Sequence, residues 1–107
     1  MINLTISGKD FQLTPALKDY VVAKIGRLKK FHPHIQRIGV ELDVDHNHQS
    51  GQIYRVEVWI HLPGETIQAG LKSDDMRAAI DLVYPKLERQ LVRNKEKRRA
   101  VRKRQAK

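Results

Sequence analysis

Residues 54–71 read YRVEVWIHLPGETIQAGL. Tyr54, Val56, Val58, Ile60 and Leu62 alternate with Arg55, Glu57, Trp59 and His61, and Ile67, Ala69 and Leu71 alternate with Thr66, Gln68 and Gly70. A period of two with one apolar face marks a half-buried strand. Pro63-Gly64 between the two runs is a tight-turn signal. The stretch therefore predicts an antiparallel hairpin with one wet face. The other face needs a cover, which the rest of the chain must supply.

Working outward, Ile38, Val40, Leu42 and Val44 alternate with Arg37, Gly39, Glu41 and Asp43. This strand joins the hairpin through the polar loop Asp45–Gln52, and the three strands should form an antiparallel meander. Ile2, Leu4 and Ile6 predict a further strand, ended by Gly8. After a connector over Lys9–Leu13, Thr14-Pro15 signals a helix start. The hydroxyl caps, and proline sits where its missing N–H costs nothing. Leu17, Val21, Ile25 and Leu28 recur at helical spacing, and Phe31-His32-Pro33 should end this helix near Lys30. A second helix is expected to begin at Ser73-Asp74-Asp75, with Ser73 as its cap and both Asp at the positive end of its dipole. The order β-α-β-β-β-α predicts an α+β fold, a two-layer sandwich whose four-stranded sheet carries both helices on one face.

The chain has 107 residues, enough for one domain, and 40% of them are apolar. Without Cys there is no disulfide framework and no thiol nucleophile, which suits a reducing cytoplasm. The first residues lack the basic and apolar regions of a secretory leader, and no apolar run is long enough to span a membrane.

Charge is distributed unevenly. Lys86–Lys107 holds eleven Lys or Arg against two Glu, a net of +9, which is also the net charge of the whole chain. Residues 1–85 balance. That asymmetry points to a polyanionic partner. At 100° per residue, Met76, Ile80, Val83, Tyr84, Leu87 and Leu91 share one arc, the expected buried stripe. Lys86, Arg89, Arg93 and Lys97 form a basic stripe well clear of it. After Leu91 the apolar stripe stops, so the helix is expected to leave the body near Asn94. Residues 1–97 would form the domain and 98–107 a flexible basic tether. Pro85 either kinks the helix or marks a restart. On the first helix, Tyr20, Lys24, Arg27 and Phe31 make a mixed seam beside the core. Packing of the aromatics is the simpler reading, and a cationic surface between the helices, which Lys29 and Lys30 would join, is the functional one.

Little in the chain suggests catalysis. His32-Pro33-His34 and His46-Asn47-His48 lack the further ligands of a structural metal site, and are read as loop histidines facing phosphate. Asp43/Asp45 and Asp74/Asp75 read as a strand end and a helix cap. No catalytic residues, metal, cofactor or small-molecule substrate are expected. Trp59, on the wet face, is read as packing beside Arg37 or Gln68 rather than stacking on a base.

Several strings together resemble the ribosome hibernation promoting factors and ribosome-associated translation inhibitors. They are Ile6-Ser7-Gly8, Leu13-Thr14-Pro15-Ala16-Leu17-Lys18-Asp19-Tyr20-Val21, Ser73-Asp74-Asp75-Met76, Ala78-Ala79-Ile80-Asp81, Lys86-Leu87-Glu88-Arg89-Gln90-Leu91 and Lys95-Glu96-Lys97. The resemblance runs from about residue 2 to 97 and implies the same β-α-β-β-β-α fold. It implies a cytoplasmic stress-response protein, monomeric off the ribosome, that binds 16S-type ribosomal RNA of the small subunit in the mRNA and tRNA channel. Its implied RNA contacts are Lys86, Arg89, Gln90, Arg93, Lys95 and Lys97, with Lys24 and Arg27 beside them. Arg77, Pro85 and Asn94 depart from the pattern, where Tyr, a helix former and His are usual. The alternative function is a general structured-RNA-binding module of the double-stranded-RNA-binding type. A membrane role is disfavoured because the tail lacks an apolar face.

Overall fold

The computed structural model describes residues 3–9, 12–45, 51 and 53–105, with side chains as far as Val101. Ile2, the His46/His48 pair and most of the Asp45–Gln52 loop lie outside the described residues. The elements are β1 (Asn3–Lys9), α1 (Pro15–Ile25) with a 3-10 extension (Gly26–Phe31), β2 (Arg37–Asp45), β3 (Ile53–Leu62), β4 (Glu65–Ser73) and α2 (Met76–Gln105). The order is the expected β-α-β-β-β-α.

The hairpin forms as its alternation requires. Val56, Val58, Ile60 and Leu62 are buried while the residues between them are half-exposed. β3 pairs antiparallel with β4, Ile60 opposite Ile67, around a turn in which Gly64 takes φ 74°, a conformation suited to glycine. β2 pairs antiparallel with β3, Gly39 opposite Trp59. β1 runs parallel to β2, Ile6 opposite Val40, which the crossover through α1 makes possible. The sheet is mixed, in the order β1-β2-β3-β4.

Both helices cover one sheet face. Leu17, Val21, Ile25 and Leu28 join Met76, Ala79, Ile80, Val83, Leu87 and Leu91 and the inward strand residues in a single core. Each fully buried aliphatic side chain there contributes roughly 1.5–3 kcal/mol of transfer free energy. α1 starts as predicted, the Leu17 N–H donating to Thr14 Oγ1 at 3.2 Å. Its path reaches Phe31, but the pitch tightens at Gly26. A 3-10 turn aligns positions i and i+3, which turns both Leu28 and Phe31 inward.

Three expectations for α2 change. Asp75, not Ser73, caps it: the Ala78 N–H donates to Asp75 Oδ2 at 2.9 Å. Ser73 still belongs to β4 and lies too early to reach that donor. Pro85 lies inside an unbroken helix, so no restart occurs there. The helix also does not leave the body at Asn94, which is buried at 6% exposure, because polar groups on the body receive it.

Candidate nucleic-acid interface

α2 has two flanks and an outer ridge. Leu87 and Leu91, fully buried, fix its rotation. Lys86, Arg89, Arg93 and Lys97 are therefore all exposed, and none of the ion pairs among the described residues involves them. On the flank bordering β4, Arg93 and Lys97 join Gln90, Asn94, Glu65 and Ile67 around a depression of about 180 Å³. Gln90 is not a free contact: its Nε2 donates to the Gln68 carbonyl at 3.4 Å and ties the helix to the sheet edge.

Lys95 does not belong with these residues. It lies on the other flank with Arg98 and Arg99, facing His32, Pro33 and His34 across a cleft of about 180 Å³. The eight residues expected to touch RNA thus do not form one patch. Lys24 and Arg27 sit further along the α1 side. Lys24 Nζ is 3.8 Å from Asp81 Oδ1 and 5.2 Å from the Tyr84 ring centre, so its charge is partly matched within the protein. The Tyr20 hydroxyl donates to the same Asp81 carboxylate, and Arg77 lies over the Tyr20 ring at 5.0 Å. Phe31 meets Tyr84 edge-on at 6.4 Å. The aromatic seam between the helices is therefore packing. The hydrogen bond to Asp81 raises the Tyr20 pKa above 10.0, and burial raises that of Tyr84. Both phenols are neutral at physiological pH. Arg27 is exposed beside this seam.

A buried polar cluster was not foreseen. His32, expected on a loop surface, is only 2% exposed. Its Nδ1 accepts the His34 N–H at 3.1 Å, which leaves Nε2–H to donate to Asn94 Oδ1 at 3.0 Å. Asn94 Nδ2 donates to Glu65, Arg98 Nε donates to Asn94 Oδ1 at 2.9 Å, and Arg98 Nη2 donates to the Pro63 carbonyl at 2.7 Å. Burial, with Arg98, His34 and Lys95 nearby, holds the His32 pKa below 6.5 despite the Asn94 bond, which acts the other way. This cluster clamps α2 to the β3–β4 turn and to the segment before β2. One available signal was the spacing: Asn94 follows Leu91 by three residues and so continues the inward stripe.

The open sheet face behaves differently. Arg55 lies 3.0 Å from Asp43, 3.8 Å from Glu41 and 3.9 Å from Glu57, and Gln68 donates to Glu57 at 3.2 Å. Trp59 is half-buried opposite Gln68, its ring over Gly39, as the packing reading requires. Among the described residues no group of three metal-ligating side chains forms, and no helix is long and apolar enough to cross a membrane.

Comparison with known proteins gives consistent matches. Residues 4–99 match the family described as Sigma 54 modulation protein / S30EA ribosomal protein. The chain is 38% identical over 96 residues to a ribosome hibernation promoting factor of Azotobacter vinelandii, spanning 90% of this chain and 85% of the relative. It is 34% identical over 97 residues to the factor of that name from Escherichia coli K12, spanning 90% and 96%. Its fold is similar to that of a ribosomal subunit interface protein from Coxiella burnetii, at a TM-score of 0.78 and 28% identity over 89% of this chain and 99% of the other.

Proposed function

The chain belongs to the Sigma 54 modulation protein / S30EA ribosomal protein family, and on that basis we propose that it is a ribosome-binding translation silencer occupying the mRNA and tRNA channel of the small subunit. A ribosome-bound protein works in the cytoplasm. The observation that carries the reading is the row Lys86, Arg89, Arg93 and Lys97, exposed, without acidic partners among the described residues, and held in register by Leu87 and Leu91. Such a row suits recognition of structured RNA through its phosphates and shape. A channel filled by protein admits neither mRNA nor tRNA, so silencing needs no catalytic step. The basic residues beyond Arg98 add salt-sensitive affinity without choosing the site.

Co-sedimentation with small subunits through sucrose tests this. Neutralising about six phosphates gives a slope of log K against log salt near −4 to −5. Binding should persist against excess free duplex RNA at equal salt. Protein left at the top of a low-salt gradient contradicts the reading, and displacement by free duplex favours a general RNA-binding module.

A further inference from the structure

The cleft between α2 and the segment 32–34 was absorbed by neither the basic row nor the core. Its lining is His32, Pro33, His34, Lys95, Arg98 and Arg99. No carboxylate is among them. The neighbouring depressions on α2 do include carboxylates: Glu65 on the β4 flank, and both Glu88 and Glu96 on the outer ridge. No acid among the described residues stands within ion-pair distance of Lys95, Arg98 or Arg99. The cleft is also built rather than accidental. Both ring nitrogens of His32 are engaged, so His32 is its floor and not a ligand. Arg98 is held by Asn94 and Pro63 through Nε and Nη2, which leaves Nη1. The bond from the His34 N–H to His32 fixes the backbone that presents the exposed His34 ring, whose centre lies 5.8 Å from that of His32.

We propose that this cleft is a seat for one phosphoryl group, with Lys95, Arg99, the free Nη1 of Arg98 and the His34 ring as its donors. Guanidinium forks and an ammonium around an acid-free recess match a compact oxyanion. The seat lies roughly 140° round the helix from the row Lys86–Lys97. A phosphate there and phosphates on the row cannot belong to one flat strand. α2 is therefore built to lie between two backbone segments, gripping one on each flank. The identification of the source as RNA rests on the ribosome-binding reading, whereas the seat itself does not.

Inorganic phosphate titrated into the full chain, followed by the ring resonances of His34, tests the seat. The expected result is a saturable shift whose midpoint rises at least about tenfold in Lys95→Gln/Arg99→Gln, a surface pair whose loss leaves the fold intact. An unsaturable shift, or an unchanged midpoint in that variant, overturns the proposal. Salt-dependent ribosome co-sedimentation of the same variant distinguishes the sources. A slope shallower by about one identifies an RNA backbone phosphate, and an unchanged slope with lost phosphate binding identifies a free phosphate compound. If wild-type protein does not bind ribosomes, the functional reading fails while the titration still decides the seat.

Discussion

The outer side of α2 and the open face of the sheet are both exposed and rich in charge, yet they treat charge in opposite ways. On the sheet, Arg55 is ringed by Glu41, Asp43 and Glu57, and Glu57 takes a further bond from Gln68. On α2, Lys86, Arg89, Arg93 and Lys97 stand without acidic partners among the described residues. A surface that matches its own charges has little field to offer a polyanion. A surface that leaves them unmatched carries repulsion that a partner relieves. On the proposed function, this difference marks α2 as the binding face and the sheet as its support.

The most direct way to break this comparison is to reverse the row. Arg89→Glu/Arg93→Glu should lower ribosome affinity about a hundredfold or more in co-sedimentation, with an unchanged circular dichroism spectrum. Asn94→Leu tests whether the row depends on the buried clamp. It leaves His32, Glu65 and Arg98 short of partners and should cost about 1–3 kcal/mol, read as a fall in the thermal unfolding midpoint. Deleting residues 100–107 should weaken binding up to about tenfold and reduce its salt dependence without moving the contact site. A smaller effect comes from pH. The His32 pKa lies below 6.5 in the folded chain, so the unfolded chain binds more protons as pH falls. Stability should be full above about 6.5 and decline below it. His32→Gln should flatten that part of the curve in pH-dependent denaturation. The smallest effect belongs to the sheet: Glu57→Gln should alter neither ribosome binding nor the unfolding midpoint appreciably, since exposed ion pairs contribute about 0–1 kcal/mol.

Period and punctuation carried most of the fold. The alternation over residues 54–71, Thr14-Pro15 and the stripe from Met76 to Leu91 each depend on local chemistry that tertiary structure did not override. The parallel pairing of β1 and β2 has no local signature. The basic row was legible because it lies outside a stripe that burial later fixed. The clamp was not, because His32 and Asn94 are polar and lie 62 residues apart. Polarity reads as exposure until a partner is known. Lys95 entered the expected contacts through the resemblance and not through the angular stripe, and α2 turns it towards the segment 32–34.

Chemical footprinting of small-subunit ribosomal RNA, with wild-type protein and with Arg89→Glu/Arg93→Glu, measures most directly whether the unmatched face of α2 is the binding face. Protection should fall on backbone lining the mRNA and tRNA channel with the wild-type chain and disappear with the variant. Protection elsewhere, or a footprint the variant leaves intact, would contradict the account.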